Sequence, residues 1–268
     1  GYIDQPERVP EFMRRAFTML RSGRPGPVVL GIPNASATYD ETQDPYISPK
    51  GWRSLPDPVD VKIAADALES SNNPVLFVGE GVLYSEATEE LKAFAEKANL
   101  PVVTTLKAKG AFPENHPLSV GVRGDHVLKY MNDADLIFAV GASISPGRFG
   151  HGIPDATSKK IIQCNIDEYD INRMYPTTHA VIGDAKATLQ SLVEELENGS
   201  SEKKEQIEKE IASTTDQAMA QYHEVFTSDA KPINPYRVYG DLMKVLDRNN
   251  SFVTHESGNT RDQLSTVY

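Results

Sequence analysis

Cysteine is nearly missing from this chain. Cys164 is the only one in 268 residues, which excludes an internal disulfide and a cysteine-based metal cluster. Set in the strand-like run IIQC, the thiol reads as a buried, inert side chain rather than a nucleophile. Long apolar runs are missing too. The longest, such as Pro74 to Val78 and Leu136 to Val140, fall far short of the roughly 20 residues a spanning helix needs, and no signal-like stretch opens the sequence. Positive charge is in deficit: 27 Lys and Arg face 38 Asp and Glu, a formal charge of −11, which opposes approach to nucleic acid or anionic lipid. The basic pair Lys203 and Lys204 is embedded among glutamates on what reads as a solvated helix face. Neither nucleic acid nor a membrane is expected as a partner, and a cytoplasmic location is the default expectation. The six histidines, His116, His126, His151, His179, His223 and His255, lack metal-ligand spacing, so no zinc site is expected. GxSxG, HExxH and P-loop patterns are also absent.

What the chain does have is alternation. From Val59 to about Asn198, helical patterns over residues 59–70, 85–99, 127–132 and 185–196 alternate with apolar strands at 74–78, 102–105, 136–140, 160–165 and 180–182. Strands that read as continuous apolar runs are buried on both faces, and alternating βα units make a parallel sheet covered by helices. The expected fold is α/β, a Rossmann-like, six-stranded, mostly parallel sheet with helices on both faces, with partial domains flanking it. Residues 1–45 carry a helix with Val9, Phe12, Met13, Ala16, Phe17 and Leu20 on its apolar face, ended by Gly23, then a strand at 28–32. Such a pair reads as the tail of a domain. Residues 46–58, with Pro49, Pro56 and Pro58 beside Gly51 and Trp52, read as a linker. A long, mostly exposed helix is expected at 202–226 within a helical linker of 199–234. In 235–268, Pro235 opens another helix and 252–255 reads as a strand.

The stretch Leu100 to Pro117, LPVVTTLKAKGAFPENHP, is the most informative. A β-branched strand runs straight into a polar loop closed by Pro113 and Pro117, and ligands of open α/β sheets sit at such strand ends. Gly79-Glu80-Gly81 and Gly141-Ala142-Ser143 follow two other strands, where glycine lets backbone amides approach a phosphate. Taken alone, Gly79-Glu80-Gly81 is better explained as a plain tight turn, because the third glycine of a dinucleotide fingerprint is replaced in the run Val82, Leu83, Tyr84. Asp167 could accept ribose hydroxyls or cap the helix after it, and Asp184 offers the same choice.

These stretches also resemble the thiamine diphosphate-dependent enzymes of the acetolactate synthase-like family. PVVTT running into KGAFPENHP is similar to the family's middle domain, as are Pro74 to Gly81, ADLIFAVGA at 134–142 and the GDA segment at Asp184. GRPGPVVLGIP at 23–33 resembles the end of its pyrimidine-binding domain, and FVTHESGNTRDQ at 252–263 the start of its diphosphate-binding domain. The resemblance implies a middle domain at 59–198 that carries FAD, ADP or nothing. It places nucleotide contacts at Gly79, Glu80, Gly81, Thr105, Leu106, Lys107, Gly121 to Gly124, Gly141, Ala142, Ser143, Asp167, Asp184 and Ala185. The turn Ser257, Gly258, Asn259 and Thr260 would approach thiamine diphosphate. Flavin-holding synthases usually carry arginine at the position of Ser143, for which Arg148 is the nearby substitute.

The resemblance further implies magnesium, a 2-keto acid substrate and a homo-oligomer for the full-length enzyme. Its activating glutamate and its GDG-type metal motif do not occur in these 268 residues, so no catalytic or metal-binding residue is assigned. The chain reads as an internal piece of a longer carboligase or decarboxylase, inactive alone. The alternative is a noncatalytic module for nucleotide binding (ADP or FAD) or oligomerisation. An NAD-dependent dehydrogenase is disfavoured by the incomplete glycine fingerprint.

Overall fold

A computed structural model describes residues 1–33, 40, 42, 45–146 and 152–268; Arg148 and His151 lie outside them. Six strands form one all-parallel sheet: β1 (Pro74–Val78), β2 (Val102–Thr104), β3 (Ser119–Gly121), β4 (Leu136–Val140), β5 (Lys160–Asn165) and β6 (His179–Ile182), in the order β3-β2-β1-β4-β5-β6. β1 and β4 are wholly buried because both sheet faces are covered. Their side chains alternate between two cores. Leu76, Val78, Leu136, Phe138 and Val140 meet α2 (Pro58–Glu69), α4 (Thr88–Ala98) and α6 (Ala185–Glu195). Val75, Phe77, Ile137, Ala139 and Ile161 share the opposite core with α5 (Asp125–Asp133) and with Ile207 and Ile211 of α7 (Ser201–Ala220).

Local chemistry fixes the helix ends. Asp57 caps α2 by accepting from the amide of Val59 at 2.8 Å, with Pro58 as the first helical residue. Asp184 caps α6 and Ser200 caps α7 in the same manner. Asn99 ends α4 in the left-handed region, φ 55°, and its amide group donates to the Ser200 carbonyl at 3.0 Å, tying the end of one helix to the start of another.

Several boundaries differ from the sequence-based expectation. β3 was not foreseen, since three residues interrupted by Gly121 carry too short an alternation to read. The helix expected at 85–99 begins only at Thr88, as α4, and is preceded by a short α3 (Gly81–Tyr84) that was not foreseen, with Glu86 at φ 54° between them. The long helix breaks after Ala220, and α8 (His223–Phe226) follows. The strand expected at 28–32 is a single bridge between Gly31 and Tyr2, and 252–255 is irregular. A strand exists through its ladder, and among the described residues the first of these segments meets only the short stretch Gly1 to Ile3, through bonds from the Ile3 amide to the Gly31 carbonyl and from the Gly31 amide to the Gly1 carbonyl, both 2.9 Å. α1 (Val9–Arg21), α9 (Pro235–Val245) and α10 (Asn259–Val267) complete the chain. Tyr239, Leu264 and Val267 form a small aromatic-rich cluster with Tyr222, Phe226 and Tyr236.

Phe138 is fully buried, with its ring 5.4 Å from that of Phe94. We expect Phe138→Ala to cost about 3–5 kcal/mol by leaving a cavity in the larger core, read as a lowered urea midpoint with an unchanged slope.

Candidate functional site

The strand order reverses direction between β1 and β4, the place where doubly wound sheets open a crevice beyond their carboxyl ends. A cleft of about 1020 Å³ lies there. Its floor is the loops after β1 and β4, and the glycines of those loops have a specific task. A Cβ on Gly79 would stand 2.2 Å from the Gly141 carbonyl oxygen, and one on Gly81 would stand 2.7 Å from the Gly141 Cα. Gly141 itself sits at φ 60° against the backbone of Gly81 and Val82. Glycine is required because two backbones cross in contact.

The amides of these glycines are already engaged. Gly79 donates to Val140 at 2.9 Å, Gly81 to Gly141 at 3.0 Å, and Gly141 to Cys164 at 2.9 Å. Two buried amide side chains on β5 fix the second loop further: Gln163 and Asn165 donate to the Ala142 carbonyl at 3.2 and 3.3 Å. Cys164 lines the cleft but is buried, and burial pushes its thiol up, so it is no nucleophile at neutral pH.

Of the residues singled out from the sequence, Gly79, Glu80, Gly81, Thr105, Leu106, Lys107, Gly141, Ala142, Ser143, Asp184 and Ala185 converge on this cleft. Gly121, Gly124 and Asp167 do not line it, although Arg123 and Asp170 beside them do. The turn 257–260 does not line it, although the adjoining Arg261 does, and is exposed. Asp184 turns out to hold segments together. Its carboxylate accepts from the amides of Lys186 and Ala187 at 3.1 and 3.3 Å, from the Ser85 hydroxyl, and from Arg53 Nη1 at 3.0 and 3.2 Å. About four lone-pair positions are thereby saturated. Asp167 caps a short turn by accepting from Tyr169 N at 3.1 Å, and it pairs with Arg24 at 3.0 Å.

Sequence reasoning missed most of the cations. Arg21, Arg24, Arg53, Lys107, Arg123 and Arg261 line the cleft against only three carboxylates, Glu80, Asp170 and Asp184; of the six, Lys107 alone is named from the sequence, and Arg123 falls inside the stretch 121–124 without being named. Four of the arginines belong to segments outside the sheet domain. Arg24 bridges Asp167 and buried Asp170, the latter at 2.8 Å, and Arg123 holds Asp262 of α10 at 2.7 Å. The signal was present in the GRPG segment, where Arg24 lies between two glycines, but nothing in one sequence says which carboxylate it meets.

With this geometry in view, the comparisons with known proteins are consistent in direction. Residues 61–192 match the family described as thiamine pyrophosphate enzyme, central domain. The chain is 33% identical over 272 residues to a probable acetolactate synthase large subunit of Methanocaldococcus jannaschii, covering 96% of this chain and 45% of that one. It is 35% identical over 200 residues to the acetolactate synthase large subunit of Corynebacterium glutamicum, covering 72% and 32%. The solved benzoylformate decarboxylase of Polynucleobacter necessarius superposes with a TM-score of 0.62 at 25% identity, covering 76% of this chain and 39% of that chain. The chain belongs to the acetolactate synthase-like thiamine diphosphate-dependent enzymes. It spans less than half the length of these relatives.

Membership implies thiamine diphosphate, and the residues present can be tested against that group. Ser257 to Thr260 are exposed, with Gly258 at φ 92°. Among the described residues no three His, Cys, Asp or Glu side chains gather as metal ligands. A magnesium diphosphate site is not composed by these residues. The cleft at the switch point is lined by other residues, Arg261 being the one nearest this turn in sequence. Among the described residues no helix is long and apolar enough to cross a membrane.

Two expectations follow. Gly79→Ala should push the crossing loops apart and destabilise the fold by more than the fraction of a kcal/mol usual for a surface change, measured by thermal unfolding. Arg24 holds the Asp167 carboxyl below its ordinary value, chiefly through the hydrogen bond between them. The resulting stability is complete above the ordinary aspartate value of about 4 and is lost as the pH falls through the depressed one. Asp167→Asn should therefore lower stability at neutral pH and shrink the acid-induced loss, seen in urea midpoints compared at pH 7 and pH 3.

Proposed function

We propose that this chain is the middle of a thiamine diphosphate-dependent carboligase or decarboxylase acting on small 2-keto acids, and that its strand-end cleft holds an adenine nucleotide. In this reading residues 1–45 close a pyrimidine-binding domain, 46–58 link it to the middle domain of 59–198, and 199–234 lead to the diphosphate-binding domain that begins at 235. Acetolactate synthase and benzoylformate decarboxylase are the names of its relatives. They support the reaction class and leave the particular keto acid to be found by assay. Thiamine diphosphate and magnesium would be held by parts of the full-length enzyme that these 268 residues do not supply, in a cytoplasmic homo-oligomer.

The nucleotide reading rests on one observation: in a chain of net charge −11, the cleft at the topological switch point is lined by six cations and three carboxylates. Such a reversal of charge inside a concave site selects an anion, and guanidinium forks suit phosphate oxygens. Phe77 and Val103 also line the cleft and would supply apolar surface for a flat ring system. Ser143, where a flavin-holding synthase would have arginine, favours ADP over flavin. The alternative, a noncatalytic nucleotide-binding or oligomerisation module, predicts the same cleft chemistry and is separated by activity of the full-length enzyme.

Calorimetry should detect ADP binding to the 268-residue chain, weakened by added salt because the contact is electrostatic. Purified protein should lack the flavin absorption band, and no ADP uptake at millimolar concentration would defeat the reading. The chain alone should form no acetolactate from pyruvate with thiamine diphosphate and magnesium present; measurable product would overturn its assignment as a non-catalytic portion.

A further inference from the structure

One wall of the cleft is made by the linker rather than by the sheet domain, and its attachment is unusual. Gly51, Trp52 and Arg53 all line the cleft, yet between residues 50 and 57 only Pro56 is buried. Trp52 is 60% exposed and Leu55 80% exposed. The segment has no helix or strand of its own. It is held at three places. At its start, Arg21 donates to the Ser48 hydroxyl and, at 3.0 Å, to the Pro49 carbonyl, while Gly51 lies against the Arg21 carbonyl. At its end, Pro56 packs on Gly183, where a Cβ would stand 3.0 Å from the proline nitrogen, and the Asp184 amide donates to Ser54 at 2.9 Å. Between them Arg53 reaches down to Asp184, which is 6% exposed, and donates to the Ser85 carbonyl at 2.6 Å. The Ser85 hydroxyl, itself buried, donates to the same carboxylate.

A segment with few buried apolar contacts belongs to the low-stability end of a structure and opens locally. Here a polar fastening takes the place of apolar packing. We propose that residues 51–55 are a strap that opens and closes over the strand-end cleft, with the Arg53–Asp184–Ser85 cluster as its clasp. Asp184 is suited to the task because it also caps α6 and so stays in place when the strap lifts. Arg53, 42% exposed at its side chain, can leave the carboxylate for water without unfolding anything beneath it. Ligand entry and exit are then limited by the strap, and a bound anion lying against Trp52 and Arg53 holds it shut. The last statement rests on the nucleotide reading; the clasp itself does not.

Trp52 is the single tryptophan of the chain, so its fluorescence reports the strap alone, and Lys50 offers trypsin a cleavage point at the strap's edge. In the ligand-free 268-residue chain, Arg53→Ala should add fast local motion to the Trp52 anisotropy decay and speed cleavage after Lys50 by about fivefold or more, as loss of charge-assisted hydrogen bonds to a partly exposed group predicts. Far-UV circular dichroism should be unchanged. Ser85→Ala, which keeps the guanidinium and removes one donor, should give a smaller change in the same sense, and it decides the matter if Arg53→Ala does not fold. With ADP as the probe, stopped-flow measurement on Trp52 should show association and dissociation both faster in Arg53→Ala. Unchanged anisotropy and cleavage in the folded variants would overturn the clasp, and a faster dissociation with unaltered association would make the segment a fixed wall. If ADP fails to bind the wild-type chain, the nucleotide reading falls and the ligand-free measurements decide the clasp.

Discussion

The structure depends on the backbone contact between the loops that leave β1 and β4. These strands pair along their whole length, Pro74 with Leu136 through Val78 with Val140, and the chain then departs from both at the same level. Two loops leaving adjacent parallel strands toward different connections compete for one space. With side chains they would diverge early. Glycines at 79, 81 and 141 let them cross at backbone distance, the amides of Gly79 and Gly81 donating to the Val140 and Gly141 carbonyls, which sets the floor of the cleft and the direction in which α3 begins. Glu80 and Ser143 reach the cleft from these crossing loops.

Around this rigid floor, the walls come from elsewhere in the sequence and are fastened by charge. Arg24 to Asp167 and Asp170, Arg53 to Asp184, and Arg123 to Asp262 each join a segment outside the sheet to one within it or beside it. Pairs with an exposed partner contribute modestly, so their value lies in orientation. Asp170 and Asp184 are nearly buried; Asp184 keeps two backbone amides and the Ser85 hydroxyl when Arg53 lifts, whereas Asp170 is met by Arg24 and Arg173, and a buried carboxylate without its arginines is costly. The acidic surplus of the chain and the basic lining of its cleft are two parts of one arrangement: carboxylates behind the wall hold guanidinium groups that face the cavity.

Much of the sheet was legible because burial on both faces leaves an unbroken apolar run, as in PVLFV and LIFAV, and such runs are hard to mistake. β3 was illegible for the opposite reason. Its three residues include a glycine at φ 107°, and its strand character comes from pairing with β2. The segment 28–32 has the composition of a strand without the ladder, which shows that β-propensity describes a surface to be paired. At the site, the glycine loops and Asp184 could be found because local chemistry marks them. Arg24, Arg53 and Arg123 could not, because a partner 143, 131 or 139 residues away leaves no trace in local spacing.

Asp184 shows how one residue can carry two readings from sequence, of which the structure displays the cap. Its place before a helix and after a strand end fits both a cap and a ligand contact, and the two readings compete for the same lone pairs. In the structure the backbone of α6, Ser85 and Arg53 take all of them. A ligand in the cleft, as proposed above, would meet the outer face of the cluster, Arg53 and the backbone of Ala185. The carboxylate would then act on it through the guanidinium it orients, and a residue of the linker would become part of the site. For this reason the cleft cannot be understood from the sheet domain alone: its floor is set by glycine, and its charge is carried by segments that the aspartates hold in place.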